Sequence, residues 1–150
     1  VDYARKLAQV ALKERRIDWD TSINPFISSQ SCLSRASLLW AISMLHTKLG
    51  QTPFENEVRE FSDYLLNQQI QEQNGSYFDN IQITAYVIIA LEALPQTRQI
   101  RNTIQSAVEY IVQSQNLVDG SIPTETGGDL YHAQAQAEAI GAVAISGLVQ

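Results

Sequence analysis

A chain of 150 residues, 45% hydrophobic and 17% charged, has the make-up of one globular domain, long enough to bury roughly 68–70% of its unfolded surface. The net charge of -6 argues against a general phosphate-binding surface, and so against nucleic acid as a partner. A single cysteine, Cys32, excludes an internal disulfide and any multi-cysteine metal motif, and the longest apolar run, Ala85 to Leu91, is far short of a transmembrane span.

The first predicted helix runs from Asp2 to about Arg16. Ala4, Leu7, Val10 and Ala11 share one face, with Arg5, Lys6, Gln9 and Lys13 turned outward. Ile17 to about Leu33 reads as a loop broken by Asn24-Pro25 and Ser28-Ser29, long enough to be functional or mobile. Ser34 to Leu49 is the second helix, with Ser34 as N-cap and Gly50 just past its end. Thr52-Pro53-Phe54-Glu55 then combines a cap, a first-position proline and a Glu three residues after the cap. The third helix follows, with an apolar stripe of Phe54, Val58, Phe61, Leu65 and Leu66.

The fourth helix, about Asn80 to Leu94, is apolar around most of its circumference, the mark of a helix buried on most sides, and Pro95 ends it. The fifth, about Arg98 to Gln115, is amphipathic, with Ile100, Ile104, Ala107, Val108, Ile111 and Val112 on one face. The sixth, from about Leu130 to the end, is alanine-rich and buried in character. The chain starts without Met and stops inside an apolar pattern at Leu148-Val149-Gln150, so a processed chain or an excised domain is expected.

Amphipathic and buried helices alternate, as paired helices in two layers require. A repeat supports this. Ala36, Ala41, Ile42 and Leu45 match Ala85, Ala90, Leu91 and Leu94, and again Ala139, Ala144, Ile145 and Leu148, at identical spacings. In the amphipathic series, Tyr64-Leu65-Leu66-Asn67-Gln68-Gln69 matches Tyr110-Ile111-Val112-Gln113-Ser114-Gln115. Each is followed by a glycine turn, Asn74-Gly75-Ser76 or Asp119-Gly120-Ser121. An ordinary helical bundle with chance similarity is the alternative.

These residues resemble the α/α-toroid superfamily: terpenoid cyclases, protein prenyltransferase β subunits, and the thioester domains of α2-macroglobulin and complement. Tyr64 to Gln69 with Asn74-Gly75-Ser76-Tyr77 is similar to that family's helix, Gln and Gly-aromatic turn, and Thr84 to Leu91 to one of its inner helices. The resemblance implies an all-α fold of antiparallel hairpins in two layers, here three hairpins where the family's rings close with about six. It leaves function open, because the family does unrelated things on one scaffold.

The family's catalytic signatures are incomplete. Where the cyclase acid Asp-x-Asp-Asp-Thr-Ala would stand, the chain has Asn80-Ile81-Gln82-Ile83-Thr84-Ala85, so the nearest acids, Asp18 and Asp20, become candidates, with solvated loop acids as the plain alternative. Asp129-Leu130-Tyr131-His132 resembles the stretch bearing the prenyltransferase His ligand, but Gln30 stands where a partner Asp of Cys32 is needed, so no metal or other cofactor is assigned. Cys32 lies outside any Gly-Cys-Gly-Glu-Gln thioester motif. Asp119, Glu125, Asp129, Tyr131, His132 and Glu138 form the densest polar group, suited to a ligand site; helix capping by Asp129 and solvation of the others is the ordinary alternative.

The candidate catalytic residues are therefore Asp129, His132, Asp18 and Asp20, and the candidate ligand-binding residues Trp40, Tyr86, Tyr131 and Glu138. Two functions are expected. One is a terpenoid-cyclase- or prenyltransferase-like domain holding a hydrophobic isoprenoid-type ligand among aromatic faces. The other is a noncatalytic domain that binds a protein partner. The last helix has few polar positions, so the C-terminal edge is expected to be covered by a second copy or by further chain.

Overall fold

The computed structural model describes residues 2–19, 25–49, 54–67, 71–124 and 133–148. Within its first two helices the side chains described are those of 3–13 and 28–45. The chain is all-α: α1 (Asp2–Trp19), α2 (Pro25–Leu49), α3 (Glu55–Leu65), α4 (Ile81–Glu92), α5 (Arg98–Gln113) and α6 (Ala133–Ser146). Among the described residues there is no strand beyond one isolated bridge, Gln71 to Tyr77, and no helix long and apolar enough to cross a membrane.

The expected loop from Ile17 to Leu33 is the main correction. Residues 17–19 complete α1, and α2 starts at Pro25. Proline at a first helical position is a starter, because its φ is already helical and its missing N–H would go unpaired there anyway. The serines that read as breakers cost only a few tenths of a kcal/mol each in a helix, and this stretch gains by burying Ser31, Cys32, Arg35 and Ala36. Ser34 is thus interior to α2 and caps nothing. α3 starts at Glu55 with Phe54 in the cap position; the expected cap Thr52 and the proline after it lie outside the described residues.

Elsewhere the ends follow from local chemistry. Asn80 caps α4, its Oδ1 accepting from the Ile83 N–H at 3.0 Å. Thr97 caps α5 by accepting from the Ile100 N–H at 3.2 Å. Between them, the Gln96 side-chain amide donates to the carbonyls of Leu91 (3.1 Å) and Leu94 (3.0 Å); the Leu91 carbonyl also accepts from the Leu94 N–H at 3.1 Å.

α4 is the centre of the packing. It touches α2, α5 and α6, while α2 also touches α1 and α3, and α5 touches α6. Eight of its side chains are buried, Ala85 and Ala90 among them. The small residues let neighbouring helices approach closely, and the isoleucines, valine and leucine supply most of the buried area.

The repeat reappears in the burial only in part: of the matched positions Ala36, Ala85 and Ala139 are all buried, whereas Ala41 and Ala144 are exposed where Ala90 is buried, and Ile145 is exposed where Ile42 and Leu91 are buried. Cys32, Ile81 and Ala135 are buried alike; so are Leu39, Ile88 and Ala142. α6 departs from expectation. It buries one stripe, Ala135, Ala139, Ala142 and Ser146, and leaves Ile140 64% and Ile145 56% exposed. α4 is covered on several flanks because it has neighbours there, whereas among the described helices α6 packs mainly against α4 and α5.

The two glycine turns share one construction. In the first, the Ser76 N–H and hydroxyl donate to Asn74 Oδ1 (2.9 and 2.7 Å), and Gln71 Nε2 donates to the Gly75 carbonyl (3.1 Å). In the second, the Ser121 N–H and hydroxyl donate to Asp119 Oδ1 (2.9 and 2.6 Å), and Gln115 Nε2 donates to the Gly120 carbonyl (2.8 Å). The residue that does in the first turn what Gln115 does in the second is therefore Gln71, not the sequence-matched Gln69, which lies outside the described residues.

Gly75 has φ +91, and a Cβ there would lie 2.1 Å from the Ser106 carbonyl oxygen of α5. Gly141, inside α6, has no atom within 4 Å of its Cβ position. Gly75→Ala should therefore cost roughly 2–4 kcal/mol, from strain plus the backbone clash. Gly141→Ala should stabilise by about 0.5–1 kcal/mol through helix propensity. Urea unfolding of the two variants checks both signs.

Candidate functional site

The helices that share the repeat each leave part of their surface uncovered. On α4, apart from the terminal Glu92, only Gln82, Tyr86 and Ile89 escape full burial, and their four- and three-residue spacing puts them on one face. On α2 the corresponding stripe is Ser37, Trp40 and Met44, with Trp40 41% exposed. On α6 the register-matched positions are Gln136, Ile140 and Val143, of which Ile140 is exposed, and the helix is open at Ala137, Ala144 and Ile145 as well. Ser37, Tyr86 and Ile140 occupy one register position of the repeat, and Trp40, Ile89 and Val143 another.

α4 and α6 meet at a polar contact within this face. Burial first, and then the Glu138 carboxylate beside it, raise the pKa of the Tyr86 phenol. Glu138 Oε1 accepts from Gln134 Nε2 at 2.9 Å, and the carboxylate is also the hydrogen-bond partner of the Tyr86 phenol. Two expected ligand-binding residues, Tyr86 and Glu138, thus come together, and a third, Trp40, lies on the open stripe of α2.

The expected catalytic residues are not assembled by the described part of the chain. Asp18 lies in the last turn of α1 rather than in a loop. Asp20, Asp129 and His132 lie outside the described residues, as does the expected ligand-binding Tyr131. Among the described residues no three His, Cys, Asp or Glu side chains lie together as a metal site would require.

Cys32 is fully buried inside α2, and burial pushes its thiol up to about 12, with the nearby Arg35 pulling weakly the other way. A thiol held neutral in this way is a core residue, not a nucleophile at neutral pH. Around it, Arg35 donates to the Ser31 hydroxyl and lies over the Tyr64 ring, 4.2 Å from the centroid. Burying a guanidinium is tolerable only because such contacts replace part of its hydration.

Sequence reasoning missed a polar cleft of about 570 Å³ between the end of α3 and α5, lined by Gln71, Arg98, Gln99, Asn102, Thr103 and Ser106. Its signal was present in the polar face of α5, where Arg98, Asn102 and Ser106 recur at four-residue intervals. The turn before α4 also places two non-glycine residues, Phe78 (φ 59) and Asp79 (φ 48), in the left-handed region. Donation to Asp79 Oδ1 from Asn74 Nδ2 (3.0 Å) and the Ser76 hydroxyl (3.2 Å) holds that strained pair.

The chain matches no family model, and the comparison with characterised proteins and with solved structures likewise finds no match.

The buried thiol predicts a pH effect. Its folded-state pKa lies above the ordinary 9.0, so the native state keeps a proton that the unfolded chain loses. Stability should fall as pH rises above about 9, approaching about 1.4 kcal/mol per pH unit for this one proton. Cys32→Ala should flatten the curve between pH 9 and 10, before the tyrosines titrate. Native Cys32 should also resist alkylation at pH 8 and react only in denaturant.

Proposed function

We propose that the chain is an arc of three α/α-toroid-type hairpins, with α2, α4 and α6 as its inner helices, and that it binds a hydrophobic isoprenoid-type ligand against their open face. The observation that carries this reading is the register-matched set of uncovered stripes, dominated by Trp40, Met44, Tyr86, Ile89 and Ile140. Side chains of this kind left open to water on three contacting helices gain by covering apolar area, at about 25 cal/mol per Å². Aromatic rings among them give flat contacts to an unsaturated chain and can face a developing positive charge. Where acid chemistry accompanies binding, Asp129, His132, Asp18 and Asp20 are the residues to test.

A second reading, a noncatalytic domain that binds protein, is favoured by Leu117 and Val118. They are 98% and 95% exposed on the turn after α5. The matching first turn carries Glu72 and Gln73 before its glycine. Two bare apolar side chains on a hydrogen-bonded turn suit insertion into a partner.

Tryptophan-fluorescence titration with prenyl chains of increasing length tests the first reading. Affinity should rise with chain length. Trp40→Ala and Ile140→Ser should each weaken binding about tenfold, equivalent to about 1.4 kcal/mol. Absence of binding at every length removes it. For the second, sedimentation at tens of micromolar should show association that a Leu117→Ser, Val118→Ser variant abolishes while keeping stability within about 0.5 kcal/mol. A wild-type monomer there excludes self-pairing through this turn.

A further inference from the structure

The turn before α4 carries a feature that neither reading of the function uses. Among the chain's asparagines only Asn74 has a Ser or Thr two places on with no proline between, in Asn74-Gly75-Ser76. This pattern is the acceptor signal for an N-linked glycan, which is bulky and hydrated and needs a surface turn. Asn74 meets that condition. It is exposed, as are Glu72 and Gln73 before it and Asp79 after it. The turn also orients its amide. Oδ1 accepts from the Ser76 N–H at 2.9 Å and from the Ser76 hydroxyl at 2.7 Å, and Nδ2 donates to Asp79 Oδ1 at 3.0 Å. An amide nitrogen carries two hydrogens, so Nδ2 can exchange one for a sugar and keep its bond to Asp79 with the other.

The structure assigns Asn74 as the acceptor of an N-linked glycan, added during synthesis in a secretory compartment. In that step Nδ2 bonds to C1 of the first sugar of a lipid-diphosphate-linked oligosaccharide. The C1–O bond to the diphosphate breaks, the lipid diphosphate leaves with its electron pair, and the proton lost from Nδ2 goes to a base of the transferase. Burial sets the order of events. Ser76 is fully buried, and the Gly75 backbone lies on the Ser106 carbonyl of α5, so the transferase must read the Ser76 hydroxyl before that contact closes. Once the turn has folded, the glycan stands in solvent among polar side chains. The second turn, Asp119-Gly120-Ser121, has the same clasp but a carboxylate in place of the amide nitrogen, and accepts nothing.

Expression of the full chain behind a secretion leader in eukaryotic cells, with electrophoresis before and after peptide N-glycosidase, tests it. The wild type should shift by one glycan and Asn74→Gln by none. Asp119→Asn, which gives the second turn the same signal, should shift by two. Because addition precedes folding, the Asn74→Gln result holds even where that variant folds poorly. Peptide mapping after the glycosidase should find Asp at position 74, the mark of a glycan removed there. Bare chain that is already folded should be refused by the transferase and accepted once unfolded. A wild-type chain secreted without a glycan overturns the assignment, as does a glycan that survives Asn74→Gln, or an Asp119→Asn chain glycosylated at position 119 alone. Folded chain accepted as readily as unfolded overturns the order of events.

Discussion

The structure depends on one close approach. The Gly75 backbone lies directly on the Ser106 carbonyl of α5, with no room for a side chain between them. That contact locks the turn before α4 onto the helix after it. Gln71 fastens it from the side, donating to the Gly75 carbonyl and, at 3.2 Å, to the Thr103 carbonyl. From the turn, Tyr77 reaches into the core and donates its hydroxyl to the Leu65 carbonyl at 2.6 Å, closing the end of α3. Its own N–H donates to the Thr84 hydroxyl at 3.0 Å, which in turn donates to the Asn80 carbonyl at 2.7 Å. Three helices are thereby fixed relative to one another by a few residues around a single glycine.

With α4 held in this way, its sides fill with α2, α5 and α6, and its one remaining stripe becomes a surface by exclusion. The aromatic and aliphatic side chains on that stripe are the part of an apolar helix that the described helices leave only partly covered. The second turn repeats the Asx and glutamine clasps and is tied to the first by the Ile81 N–H, which donates to the Thr124 carbonyl at 3.0 Å. It differs in carrying Leu117 and Val118 in solvent. One construction, used twice, has been given a polar tip and an apolar tip.

The buried polar groups share a logic with the open face. Arg35 sits in the core because a ring and a hydroxyl receive it, and Cys32 stays protonated because its burial outweighs the pull of the nearby Arg35. Glu138 is received in the same way, by Gln134 at one oxygen and by the Tyr86 phenol beside it.

The helices α4 and α5 were legible in the sequence because each decision there is local: Asn80 and Thr97 cap, Gly75 and Gly120 turn, and the apolar period distinguishes a helix buried on most sides from one with a wet face. One position of the repeat was legible too, Ala36, Ala85 and Ala139 being buried alike, but Ala41 and Ala144 are exposed where Ala90 is buried. The start of α2 was not, because Pro25 and the serines are ambiguous between breaker and helix until the burial of Cys32 and Ala36 decides it. Nor was the exposure of Ile140 and Ile145, since the composition of α6 shows an apolar helix but not how many neighbours it has. Of the site, the sequence pointed to Trp40, Tyr86 and Glu138 as residue types. Only the tertiary structure could bring Tyr86 and Glu138 together, because a contact between two helices 52 positions apart depends on packing angle and depth, which no local pattern encodes.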